Sequence, residues 1–131
     1  DFTIGPAFKD LPAYVQELKS KGIKFIPIQD PCISSGEPTG TYRPFDLGNE
    51  LDIWIKKSDG TPAAGSVWTE APCYFPDYSK QSTREWWNIL IKEYKNLVDY
   101  AGIWIDMNEP TSFAFGDVHE GCSSNSINDP P

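Results

Sequence analysis

Two carboxylates, Asp106 and Glu109, lie in the stretch Gly102–Glu109, which reads GIWIDMNE. Ahead of them Ile103, Trp104 and Ile105 form a continuous apolar run, the pattern of a strand buried on both faces of a parallel sheet. Pro110 cannot donate to a sheet ladder, so the strand is expected to end by Glu109. A carboxylate placed where a buried strand ends is where barrel and open α/β enzymes hold their chemistry. The plainer alternative is an Asp that only caps the next turn. Trp104 precedes Asp106 by two residues, and the strand period of two sets both side chains on one face. A ring beside a carboxylate suits a sugar: the apolar C–H face of a pyranose packs on the ring while carboxylates take its hydroxyls. Trp68 is a second ring of this kind, and core packing is the alternative for Trp104.

The run Trp104–Pro110, WIDMNEP, resembles the nucleophile signature of glycoside hydrolase family 31, the α-glucosidase family. Asp1-Phe2-Thr3, Asp30-Pro31-Cys32-Ile33-Ser34, Gly40-Thr41-Tyr42-Arg43-Pro44, Phe75-Pro76-Asp77-Tyr78 and Gly121-Cys122 follow the order that family shows, so the resemblance covers essentially the whole chain. Ile105 fits the secreted and lysosomal branch, where the endoplasmic-reticulum branch typically carries Asn. The resemblance implies a (β/α)8 barrel and a retaining, exo-acting α-glucosidase that removes terminal glucose from α-linked oligosaccharides, without metal or cofactor. Such an enzyme needs one carboxylate to attack the anomeric carbon and a second, protonated one roughly 5–5.5 Å away to protonate the leaving oxygen. The resemblance assigns Asp106 to the first role and places the second on a later strand, beyond Pro131. Glu109 is the rival within the chain, and its expected part is to support the loop by accepting hydrogen bonds. The family pattern puts the substrate pocket at Trp104, Trp68, Ile33 and Met107, although Ile33 and Met107 are apolar and suit a core equally well. Isomaltase or α-xylosidase specificity, or an inactive sugar-binding homologue, are the alternatives.

Composition narrows the classes independently. The 131 residues are 39% hydrophobic and 14% aromatic, enough apolar mass for a core. A net charge of −8 argues against nucleic acid or an anionic membrane as partner. No apolar run approaches the roughly 18 residues of a membrane-spanning helix. Asp1 opens in mid-motif and Pro130-Pro131 closes abruptly, so an internal piece of a longer chain is expected. A complete barrel needs roughly 250 residues; residues 1–131 are expected to supply part of one, inactive by itself and dependent on the rest of the barrel. The three cysteines, Cys32, Cys73 and Cys122, cannot all pair and show no metal-type spacing. Cys32 and Cys73 are read as structural, and Cys122 as a free thiol or half of a disulfide in a secretory-pathway enzyme. His119, the one histidine, sits in a polar loop and is expected to be solvated. Asp117, Glu120 and Asp129 are three acids near one another, but their spacing matches no known calcium loop.

The elements that must position these residues follow a repeat. Asp10 can cap a helix with Pro12 in its first turn and Leu11, Tyr14, Val15 and Leu18 at helical spacing, stopped by Gly22. Ile23–Ile28 then reads as a strand ending at Gln29-Asp30, with a bulge at Pro27. Asp30 also ends a strand and is read as the cap of the turn before Pro31, with a carboxylate just behind the pocket as the alternative. Residues 31–80 form a long Gly-, Pro- and aromatic-rich excursion, usually functional at such length. Within it Leu51, Ile53 and Ile55 alternate as a strand, Ser58-Asp59-Gly60 turns, and Ser66-Val67-Trp68 returns. Ser82 and Glu85 can form a capping box on a second helix, with Trp86, Ile89, Leu90, Tyr94 and Leu97 as its buried stripe. Tyr100-Ala101-Gly102 leads into the Ile103 strand, and residues 123–128 read as loop. Helix–strand, excursion, helix–strand implies α/β architecture with parallel strands and right-handed crossovers.

Overall fold

Helix α1 (Leu11–Ser20) opens the first helix–strand step of a computed structural model that describes residues 1–131. It buries Val15, with Leu11 and Leu18 partly covered, while Tyr14, expected in the stripe, points to solvent. Asp10 is the N-cap residue but makes no side-chain capping bond. Gly22 ends the helix at φ +75°, which frees its N–H for Lys19 O and the Ile23 N–H for Leu18 O, a Schellman closure. The chain then runs extended to strand β1, where the ladder covers only Ile28–Gln29. Ile23–Pro27 falls short of the expected strand because Pro27 has no N–H to give; isolated bonds from Ala101 N–H to Phe25 O and from Trp104 N–H to Pro27 O hold it instead.

The second step is helix α3 (Gln81–Leu97) followed by strand β5 (Trp104–Ile105), which pairs parallel with β1 in the register Ile28↔Trp104, Gln29↔Ile105. Thr83, Trp86, Leu90 and Tyr94 form the buried stripe of α3, while Leu97 lies half exposed. The expected Ser82–Glu85 capping box is absent, because the N-cap residue is Lys80, two positions ahead of Ser82. Asp77 organises the entry: its Oδ1 accepts the Ser79 N–H and hydroxyl, and its carbonyl accepts the Thr83 hydroxyl at 2.6 Å. The expected burial of Ile103–Ile105 on both faces also fails. β5 has a strand neighbour on one side only, so Trp104 and Ile105 are 56% and 63% exposed.

The excursion differs most from expectation. Strands β2 (Ile33–Ser34), β3 (Ala64–Gly65) and β4 (Cys73–Tyr74) form a small antiparallel sheet in the order β2-β4-β3. Residues 51–55 do not form a strand: Ile53 and Trp54 are both buried, so the apparent alternation breaks, and only an isolated bridge joins Trp54 to Pro76. The strand that β4 recruits is Ala64–Gly65, just ahead of the expected Ser66–Trp68. Helix α2 (Arg43–Glu50) was hidden by Pro44 and Gly48. Gly48 is required: a Cβ there would lie 2.3 Å from the Trp54 ring, whose N–H reaches Asn49 Oδ1 at 2.8 Å. One core joins these parts, including Val15, Ile33, Leu47, Ile53, Trp54, Trp86 and Leu90, and the Trp86 N–H ties α3 to α2 through Pro44 O. A Cys32–Cys73 disulfide links β4 to the chain just after Asp30.

Candidate active site

Parallel pairing brings the carboxyl ends of β1 and β5 together, and an aspartate follows each: Asp30 after Gln29, Asp106 after Ile105. Asp106 is half-buried. Its Oδ1 accepts the Met107 N–H at 2.9 Å, and its backbone carbonyl accepts the Asn108 amide at 2.7 Å. Met107 itself holds a left-handed φ of 56°, a conformation that costs a non-glycine residue about 1–3 kcal/mol. Thr111 closes the turn through its N–H to Met107 O at 3.0 Å and its hydroxyl to Glu109 Oε2. Glu109 is exposed and accepts the Thr111 hydroxyl inside the loop.

The two faces of β5 differ. Ile105 lines a cavity of about 540 Å³ against α3, with Tyr78, Arg84, Trp87, Asn88 and Asn108. Alternation sets Trp104 and Asp106 on the opposite face, together with Ile28 across the ladder. Trp104 therefore stands on the carboxylate face, away from the helix layer.

Trp68 reaches the same region from the excursion. It is 74% exposed, its indole N–H points at Met107 Sδ at 3.2 Å, and its ring meets Phe113 edge-on at 4.7 Å between centroids. The excursion is stitched to the loop after β5: Phe113 N–H to Ser66 O at 2.7 Å, Ser66 N–H to Ser112 Oγ at 3.2 Å, Val118 N–H to Ala64 O at 2.9 Å, and Ala64 N–H to Asp117 Oδ2 at 2.7 Å. Gly65 sits at this seam, where a Cβ would lie 2.4 Å from the Phe75 ring. Trp68 and Met107 are thus brought together, and Phe113 joins them. Nothing in the spacing of Phe113 marked it in advance. Ile33 does not join them. It is 0% exposed and packs in the core beneath, paired with Tyr74 in the small sheet.

Asp30 does not cap the turn before Pro31. Neither of its oxygens accepts a hydrogen bond from the chain, and Oδ1 is buried without a partner. Burial, and then the neighbouring Asp106, push its carboxyl above the usual carboxylate range, with the Asp1 amino group opposing. Among the other acids, Asp117 is held low first by the Ala64 N–H and then by the His119 N–H. Glu120 pairs with Lys57 and Asp129 accepts the Ser124 hydroxyl, so these three acids serve separate contacts, and no group of three metal-ligating side chains converges. His119 and Cys122 are exposed, and Cys122 is a free thiol.

Comparison with known proteins agrees with this architecture. The model of the Glycosyl hydrolases family 31 TIM-barrel domain matches residues 1–131. Lysosomal alpha-glucosidase of Bos taurus is 44% identical over 132 residues, which is all of this chain and 14% of that protein. Intestinal sucrase-isomaltase of Oryctolagus cuniculus is 41% identical over 138 residues, again all of this chain and 7% of the relative. A crystal structure of the ER glucosidase II complex of catalytic subunit and regulatory-subunit binding domain superposes with a TM-score of 0.73 at 30% identity, over 86% of this chain and 12% of that one. The chain therefore spans a small part of each relative's length. With the family model matched from first residue to last and strand-end aspartates on neighbouring parallel strands, the chain belongs to glycoside hydrolase family 31 and forms part of its TIM-barrel domain.

Proposed function

We propose that the protein containing this chain is a retaining, exo-acting α-glucosidase and that Asp106 is its nucleophile. The observation that carries the reading is the Asp106 carboxylate itself. It stands at the carboxyl end of a parallel strand with one oxygen oriented by the Met107 N–H and the other free of any hydrogen bond within the chain. In the first step an Asp106 oxygen bonds to the anomeric carbon as the glycosidic C–O bond breaks. The leaving oxygen takes its proton from an acid supplied outside residues 1–131. Water then hydrolyses the glycosyl ester, so two inversions return the α configuration. Trp104 and Trp68 flank the sugar with their rings, Met107 fills between them, Ile33 supports the floor from the core, and Glu109 holds the loop. The substrate is an α-linked gluco-oligosaccharide. The identities to lysosomal and intestinal relatives support the secretory pathway, as does a disulfide, which needs an oxidising compartment. The test is to follow hydrolysis of maltose and of isomaltose by the full-length protein with proton nuclear magnetic resonance. α-Glucose must appear first. Initial release of β-glucose would exclude the double displacement, and the ratio of the two rates assigns linkage preference.

A further inference from the structure

Residues 117–121, late in the loop after β5, close into a hairpin that holds the excursion through one side chain. The Asp117 N–H reaches Gly121 O at 3.3 Å, and the Gly121 N–H reaches Asp117 O at 2.7 Å. Asp117 Oδ1 accepts the His119 N–H at 2.9 Å inside the same turn. Gly116 leads into it at φ +69°, where a Cβ would lie 2.4 Å from Gly121 O. With its backbone committed to the hairpin, Asp117 reaches the excursion with Oδ2, which accepts the Ala64 N–H from 53 positions away at 2.7 Å. The Ala64 carbonyl accepts the Val118 N–H at 2.9 Å, so both polar groups of a residue only 4% exposed rest on the hairpin. Burial would otherwise leave that Ala64 N–H orphaned. Lys57 and Glu120 form an ion pair between the same two parts. Trp68 lies four residues beyond Ala64, and its ring meets Met107 and Phe113, both on the loop that runs into this hairpin.

We propose that Asp117 is a positioning residue: its carboxylate clasps Ala64 and so sets where the Trp68 ring stands against Met107, the residue after Asp106. This rests on the reading of Trp68 as a ring that flanks the sugar. Asp117 takes no part in the bond changes and acts through Trp68. A carboxylate suits the task for two reasons. Its two oxygens tie the hairpin and the excursion at once, and an ionised acceptor makes the stronger hydrogen bond. The excursion keeps two further ties to the loop at Ser66, so losing the Asp117 bond shifts the ring without releasing it.

The test is a double-variant cycle in the full-length protein with maltose as substrate: Asp117→Ala, Trp68→Ala and both together, each as activity per folded molecule. Misplacing a positioning group by about 1 Å costs up to about 10²-fold in rate. Asp117→Ala is therefore expected to lose about 10-fold in kcat/KM, divided between kcat and KM as in Trp68→Ala. Added to Trp68→Ala, it should cost less than about twofold more, because the ring it places is gone. Losses that multiply in the double variant, or an Asp117→Ala that keeps full kcat/KM, would overturn the proposal and leave the reading of Trp68 intact. If Trp68→Ala alone leaves kcat/KM unchanged, the reading of Trp68 fails and the proposal falls with it. Should Asp117→Ala fail to fold, Asp117→Glu takes its place in the cycle, since it keeps the charge and lengthens the arm by one methylene. Its loss should likewise vanish beside Trp68→Ala; no loss, or one that persists there, overturns the proposal.

Discussion

The indole N–H of Trp68 points at the sulfur of Met107 from 3.2 Å, so a ring from the excursion rests on the residue that follows the candidate nucleophile. This contact brings a 50-residue detour against the candidate site, since bonds from Ser66 and Ala64 to the loop after β5 hold the ring there. If Trp68 and Trp104 flank the sugar, alanine at either position should lower kcat/KM about 10–100-fold, or about 1.4–2.7 kcal/mol. Both rings are mostly exposed here, so thermal stability should change little. Trp86→Ala, at a fully buried ring, is the control and should cost about 3–5 kcal/mol of stability. A stability loss at Trp104 as large as at Trp86, with activity per folded molecule retained, would return Trp104 to the core.

The seam at Gly65 gives a second expectation. A Cβ there meets the Phe75 ring at 2.4 Å and Ser112 Oγ at 3.3 Å, so Gly65→Ala must displace the ring or part the excursion from the loop after β5. Overpacking of this kind typically costs about 1–3 kcal/mol. Because Trp68 hangs from this seam, kcat/KM should fall with stability, whereas Gly5→Ala, in open space, should change neither. Thermal melts and kinetics on the same preparations check both.

The Cys32–Cys73 disulfide closes a loop across 41 positions. In the chain-entropy account that linkage contributes about 4 kcal/mol. The double variant Cys32→Ser/Cys73→Ser should lose about 2–4 kcal/mol, and reductant should lower the melting temperature of the parent but not of the variant. Cys122→Ser should leave stability unchanged in this segment, since its thiol is exposed.

The raised proton affinity of Asp30 gives stability a pH dependence of definite sign. The unfolded chain releases this proton at the ordinary carboxylate pKa, whereas the folded chain holds it to higher pH. Folding is therefore unpenalised by Asp30 below that ordinary value and increasingly penalised as pH rises through the folded value. Asp30→Asn should accordingly raise the melting temperature at pH 7, and the gain should shrink as the pH falls toward 4. A gain that grows with acid would contradict the assignment.

The helix–strand repeat was readable because α1 and α3 carry apolar residues at helical spacing and β5 a dense apolar run. The common face of Trp104 and Asp106 followed from the period of two alone. The excursion was not readable in the same way. In Arg43–Glu50 the proline and glycine look like breakers, yet Pro44 sits in the first turn and Gly48 receives the Trp54 ring, so tertiary packing sustains a helix that local propensity disfavours. Leu51, Ile53 and Ile55 alternate in sequence, but Trp54 is buried with Ile53, its ring packed on Gly48 and Phe45. The Cys32–Cys73 pairing, the approach of Phe113 to Trp68, and the facing of Asp30 and Asp106 all join residues far apart in sequence, for which no local pattern exists.

The central claim, that Asp106 is the attacking carboxylate, is tested most directly by replacing it. Asp106→Gly in the full-length protein removes the nucleophilic oxygens and opens the β face of the bound sugar. Hydrolysis should fall by at least about 10³-fold. Given α-glucosyl fluoride and azide, the variant should form the azide product by one displacement in place of two. Nuclear magnetic resonance of that product should show β-glucosyl azide, with no such rescue in Glu109→Gly. An α-azide, or rescue at Glu109 rather than Asp106, would contradict the assignment.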